Sequence, residues 1–161
     1  MPTTVSQIAT PSSARRIVLD TFVSTPGSTL LTTPPPLYWP PKDPGDLLDY
    51  ELDASPALVG DEQDVISTIN VQIVPNAAGD LTLNSVEAQG SIAVLRLAAG
   101  RPGVVYSVQI TITTAAGRII ARAVWLPVLP LLAGVPNPAA LTSTAGTAIS
   151  DQWGDAILVG S

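Results

Sequence analysis

The chain has 161 residues, enough for one domain of ordinary size with room for segments at either end. It contains neither histidine nor cysteine, which excludes Ser-His-Asp and Cys-His catalysis, thiolate chemistry, disulfides and His- or Cys-based metal centres in one step. Thirteen acidic residues against seven basic ones leave a net charge of -6, the wrong sign for a surface that grips nucleic acid by its phosphates.

Charged residues make up only 12% of the chain, about half the usual share, so apolar surface is expected to be covered by partners. The reactive groups that remain are carboxylates, hydroxyls, Lys42 and the arginines. So few acid–base groups point to a protein that is not an enzyme and carries no cofactor and no metal. Met1 to Thr10 is polar and does not read as a targeting segment. The most apolar stretch, Ala121 to Val135, is interrupted by Arg122, Pro127 and Pro130 and falls short of the ~20 residues a spanning helix needs, so no membrane partner is expected. The lack of cysteine suits synthesis in a cytoplasm.

In chain order, residues 1–37 read as an extended N-terminal arm. They are rich in Ser, Thr and Pro, with apolar patches at Ile17, Val18 and Leu19 and at Leu30-Leu31. Pro34-Pro35-Pro36 favours a polyproline conformation. Such a segment is too poor in apolar residues to form a core, so it reads as an arm ordered by a neighbour or as a plain disordered tail. The Arg15-Arg16 pair is too small to make a nucleic-acid face.

Residues 38–126 read as an all-β, immunoglobulin-like antiparallel β-sandwich. Leu48, Tyr50 and Leu52 alternate with Asp49, Glu51 and Asp53, a first strand with a solvated acidic outer face. Ile69, Val71 and Ile73 alternate with Thr68, Asn70 and Gln72. Ala93, Leu95 and Leu97 oppose Val94 and Arg96. Val104, Tyr106, Val108, Ile110 and Ile112 alternate with mostly polar residues, and Ile119, Ala121, Ala123 and Trp125 are set opposite Arg118 and Arg122. Pro75-Asn76, Gly79-Asp80, Gln89-Gly90, Gly100 to Gly103 and Ala115 to Gly117 supply the turns. Several short strands at this spacing mean about seven strands in two layers. Tyr106, just after a Gly-Pro-Gly turn, is placed to tie its hydroxyl back to that corner, as in immunoglobulin-like domains. Trp39 beside prolines reads as a plug on one end. The acids between Asp43 and Asp64 lack the spacing of a calcium loop.

Residues 127–161 read as an extended C-terminal arm with two charges, Asp151 and Asp155. Pro127 and Pro130 are expected to turn the chain away from the sandwich while it is still apolar through Val128, Leu129, Leu131 and Leu132, the alternative being that these residues fold back over the domain's own sheet. Trp153, Ile157 and Leu158 follow. With Ile17, Val18 and Leu19, these are the candidate assembly contacts, because an apolar tail of this kind is an aggregation hazard unless it docks.

The stretch Trp39-Pro40-Pro41-Lys42-Asp43-Pro44, followed by Leu48-Asp49-Tyr50, the Gly60-Asp61 turn, a strand from Ile66, Gly103 to Val108 with Tyr106, and the turn from Thr114 to Arg118, resembles the phage fiber–tail adaptor family. The resemblance covers roughly residues 38 to 126. It departs from the family pattern in having no tryptophan between Val65 and Ile73, and the arms lie outside it. It implies a structural virion protein on the tail or neck that attaches tail fibers, with other virion proteins and copies of itself as partners. A head-decoration or head–tail joining protein is the alternative within the virion. A carbohydrate-binding or adhesin module is the alternative from another class, disfavoured by the scarcity of aromatic residues.

Overall fold

The computed structural model describes residues 12–19, 34–61 and 63–132. The order of strands is β1 Arg16–Val18, β2 Leu37–Tyr38, β3 Leu48–Asp53, β4 Ile66–Val74, β5 Leu81–Gln89, β6 Ile92–Ala99, β7 Val105–Thr114 and β8 Ile119–Pro127. Single 3-10 turns at Ser13–Arg15 and Ser55–Leu58 complete the regular structure, with no α-helix among the described residues.

The strands form two four-stranded sheets, ordered β1-β3-β6-β5 and β2-β8-β7-β4, that pack face to face over one apolar core. The protein is therefore an all-β sandwich, compatible with an immunoglobulin-like one. Both sheets are mixed rather than purely antiparallel, because β1 runs parallel to β3 and β2 parallel to β8. Six strands lie between Leu48 and Pro127; the N-terminal segment adds the other two as short edges.

Side-chain alternation explains the core. On β7, Tyr106, Val108, Ile110 and Ile112 point inward and are essentially inaccessible to solvent. On β6, Ala93, Leu95 and Leu97 do the same, facing Tyr50 and Leu52 of β3 within the one cluster. Strand β8 reverses the expected face: Ile120, Val124 and Leu126 are buried, whereas Ile119 and Trp125 are exposed. Both sets of alternating positions on β8 are largely apolar, so periodicity cannot choose between them, and the pairing of Tyr106 with Leu126 and of Val108 with Val124 decides it. Arg122 accordingly falls on the inward register, opposite Ile110, half-buried, with its guanidinium donating to the Ala121 carbonyl at 2.7 Å.

Two further expectations change. Leu19 and Val128, read as free contacts in the arms, are 1% and 0% exposed and belong to the domain's own core. The acidic face of β3 is not solvated: Glu51 and Asp53 are buried and paired with Arg16, which opens β1. The chain divides into the units Met1–Pro130 and Leu131–Ser161, and only Leu131 and Leu132 of the second are described.

Candidate interaction surface and the bracing that frames it

The run from Trp39 to Pro44 enters the fold alongside the end of β8. The Trp39 N–H donates to the Trp125 carbonyl at 3.0 Å, and the Lys42 N–H donates to that of Pro127 at 3.2 Å. Leu129 N–H returns a bond to the Lys42 carbonyl at 2.9 Å. The prolines thus hold an extended strand-like entry without needing donors of their own. Trp39 is buried, its indole Nε1 donating to the Glu51 carbonyl at 3.2 Å and its ring tilted against Tyr50 at 5.1 Å between centroids. Arg15 lies over the other partner of this pair, 5.9 Å from the Tyr50 ring centroid. The Tyr50 hydroxyl is buried without a hydrogen-bond partner among the described residues, and burial pushes its pKa up to about 12.

Lys42 is the least expected member of this cluster, since lysine is almost never fully buried. Its Nζ donates to the carbonyls of Asp43 and Ala99, each at 2.7 Å. Burial lowers the ammonium pKa, and the nearby Asp46 and Asp43 carboxylates oppose that shift. The Ala99 bond matters because Ala99 holds a φ of 57°, a left-handed conformation that costs a non-glycine residue about 1–2 kcal/mol. Lys42 therefore pins the first residue of a strained corner.

Tyr106 pins the rest of that corner. Its hydroxyl accepts from the Arg101 N–H at 2.8 Å and donates to Asp80 Oδ1 at 2.9 Å. Asp80 also accepts from Ala77 N–H at 2.7 Å and pairs with Arg101 at 3.2 Å. That backbone bond, despite burial and with help from Tyr106 and Arg101, holds the Asp80 carboxyl below the usual range. At another turn, Arg118 donates to Asp64 and, at 2.9 Å, to Asp61, joining the turn that follows β7 to the one that precedes β4. Burial pushes the Asp64 carboxyl up, but bonds from Thr114, Ala116 and Arg118 outweigh it and hold the pKa low.

The Arg15-Arg16 pair has a structural use. Arg15 reaches Asp49 at 2.8 Å, and Arg16 reaches Asp53 at 2.6 Å and Glu51 at 3.7 Å. The Leu19 N–H bonds the Asp53 carbonyl at 2.9 Å and seats the leucine side chain in the core.

Of the residues singled out from sequence, Trp39, Lys42, Tyr50 and Tyr106 are buried braces, Pro40 and Pro41 are exposed, and Asp43 and Pro44 are partly covered. Ile17 is half-buried against the core, while Val18, Leu129, Leu131 and Leu132 are exposed. Trp153, Ile157 and Leu158 lie outside the described residues. No group of three or more Asp and Glu side chains able to hold a metal ion occurs among the described residues.

Sequence reading missed the most distinctive surface. The outer face of the β2-β8-β7-β4 sheet presents Ile119, Ala121, Ala123 and Trp125 from β8 and Tyr38 from β2. β7 adds Val105, Gln109 and Thr111, and β4 adds Thr68, Asn70, Gln72 and Val74. None is charged, whereas the outer face of the other sheet carries Asp49, Glu51, Asp53, Glu87 and Arg96. Tyr38 pairs with Trp125, Trp125 with Ser107 and Ser107 with Val74, so one row crosses all four strands. Tyr38 is 57% exposed and Trp125 36%. Exposed aromatic and aliphatic side chains at outward positions that include no charged residue are the composition of an interface centre. The signal was present in the polar, uncharged partners of each alternating strand, but it needed the strand order to be assembled.

No curated protein matches the chain. The family model described as podophage GP4 fiber-tail adaptor protein gp77 matches residues 42–127, which takes in β3 to β8 and both braced turns. A sandwich whose corner, entry and turn residues are the ones that carry the resemblance, matched over more than half its length, belongs to the podophage GP4 fiber-tail adaptor family and is a structural component of the phage tail.

Proposed function

We propose that this chain attaches tail fibers to the tail or neck of the particle as a rigid spacer, without catalysis and without a cofactor. Membership of the fiber-tail adaptor family over residues 42–127 carries the reading. The geometry supports it: a sandwich braced at its corner and turns transmits position, and an uncharged outer face centred on Tyr38 and Trp125 offers a docking surface. In this reading the partners are other virion proteins and further copies of the chain, and neither nucleic acid nor membrane takes part. Leu129, Leu131 and Leu132 are exposed and, with Trp153, Ile157 and Leu158 on sequence grounds, are further candidate contacts.

The test is a Tyr38→Glu/Trp125→Glu double variant supplied to a phage lacking the wild-type gene. Both side chains sit on the outer face, so the purified variant is expected to fold. Particles should then lack the adaptor and its fibers. Normal incorporation and normal fiber occupancy would refute this face as the attachment surface.

A further inference from the structure

Strand β4 forms one edge of its sheet, and among the described residues no strand pairs with its open side. Its nine residues, Ile66–Val74, include no charge and no proline. Long edges are ordinarily guarded by lysine, proline, a bulge or a covering segment, because their free N–H and C=O groups invite another strand. The single irregularity here, between Ile66 and Thr68, lies at one end and leaves Thr68 to Val74 in regular register. The other sheet ends on the same flank in β5, and the two edge strands meet. Between them Ile69, Val71, Leu83 and Val86 are only partly buried, and a groove of about 290 Å³ runs past Val71, Ile73, Leu81 and Leu83. The flank thus leaves both backbone groups and core side chains incompletely covered.

We infer that β4 pairs antiparallel with β4 of a second copy about a two-fold axis at Asn70, its midpoint, joining two four-stranded sheets into one. Two observations favour a copy of this chain over a different partner. The strand is self-complementary about Asn70: Ile69 meets the partner's Val71 on the core side and Thr68 meets the partner's Gln72 on the outer side, so the pairs flanking the axis from Thr68 to Gln72 match in polarity. Each copy carries a net charge of -6, so two copies approach most readily where neither presents charge, as here. A strand from a charged partner would find no counter-charge on this edge to select it. A nine-residue edge is roughly 30 Å long, and with the groove it buries less than the ~800 Å² per partner of a standard interface. The pair therefore dissociates on dilution and forms where copies are concentrated, as in a particle. The inference is independent of where fibers attach.

Sedimentation velocity on the full chain across about 1 to 200 μM tests it. Wild type should pass from monomer to dimer in that range. Asn70→Lys and Asn70→Glu should each be monomeric, since the two-fold axis sets residue 70 opposite itself. An equimolar mixture of the two should recover the dimer. Asn70 is exposed, and circular dichroism confirms folding; Asn70→Arg or Asn70→Asp replaces the variant of like charge that fails to fold. A wild type that stays monomeric would show the edge to be covered by another part of the chain or kept for another protein, and would overturn the inference. So would a dimer that survives Asn70→Lys, or a mixture that fails to restore it.

Discussion

Replacing Leu19 with alanine separates an N-terminal segment that belongs to the domain from one that merely lies on it. Leu19 is 1% exposed and shares a cluster with Trp39, Tyr50, Leu52 and Val128. Truncating a fully buried leucine costs about 2–5 kcal/mol, of which the cavity left behind is a part. The loss has a ceiling here, because β1 is only three residues long and can detach before the whole domain unfolds. What holds it is the half-buried Ile17, the Leu19 plug and the arginine pairs to Asp49 and Asp53. Partly exposed pairs of this kind contribute about 0–1 kcal/mol each, so the leucine dominates. A loss of about 2–4 kcal/mol follows, and with an m-value of about 2 kcal/mol/M the urea midpoint should drop by roughly 1–2 M. Tryptophan fluorescence reads it, since buried Trp39 stacks on the Tyr50 ring that Arg15 covers. Val18→Ala, one residue away and 47% exposed, should stay within about 0.5 kcal/mol of wild type. If Leu19→Ala does too, β1 is not part of the cooperative unit and the reasoning fails.

Acid should loosen the same strand. Burial pushes the Asp49 and Asp53 carboxyls up, but bonds from Ser12 and Arg15 to the first, and from Ser55 and Arg16 to the second, outweigh it and hold both pKa values low. A depressed folded pKa stabilises above the unfolded value of about 4 and loses that stabilisation as pH falls through the folded pKa. Urea midpoints should therefore be level from pH 6 to 8 and fall below about pH 4; a flat profile down to pH 3 refutes the linkage. Tyr106→Phe strips the corner of a hydroxyl that both accepts and donates, and thermal unfolding should show a loss of about 1–3 kcal/mol. Gly100→Ala should be worse than Gly117→Ala although both glycines have positive φ. At Gly100 an added Cβ would stand 2.8 Å from Val128 Cγ2, while at Gly117 nothing lies within 4 Å. The difference should be at least about 1 kcal/mol, the lower end of the cost of overpacking, and equal melting temperatures would refute it.

The long strands were legible because their two faces differ in chemistry. β4 from Thr68 to Ile73 and β7 from Tyr106 to Thr113 alternate apolar with polar residues, and the corner tyrosine is marked by the Gly-Pro-Gly turn before it. β5 was bracketed by turns but not recognised. Its inward positions run Leu81, Leu83, Val86, Ala88, because the register shifts between Leu83 and Ser85, and a bulge breaks a period of two. β1 has too few residues for any period. Its reason for forming lies far along the chain, in the core that takes Leu19 and in the Asp49, Glu51 and Asp53 ladder that pairs with Arg15 and Arg16. Val128 stays in the core because Pro127 is not an exit from the sandwich. Proline removes a donor but keeps its carbonyl, and that carbonyl accepts from Lys42 while Val128 N–H bonds the Val104 carbonyl at 2.9 Å. The chain therefore stays on the domain past the first proline.

The residues that reveal the family and the residues that select a partner must then be different ones. Trp39, Lys42, Tyr50 and Tyr106 are 0–1% exposed, so no fiber or tail protein can touch them. They are recognisable in sequence because each satisfies a specific backbone or ring partner at the corner, which constrains residue type: few side chains other than lysine could cross the core and bond both Asp43 and Ala99 carbonyls. Tyr38 and Trp125 face outward and carry no such constraint from the fold. The family match ends at Pro127, just where the exposed Leu129, Leu131 and Leu132 begin. A chimera that keeps residues 12–128, which include the core residues Leu19, Trp39 and Val128, and exchanges the segments on either side should therefore fold as this sandwich yet attach to the donor's neighbours wherever the flanking segments set the choice. Retention of the original partners by such a chimera would instead assign the choice to the outer face of the β2-β8-β7-β4 sheet.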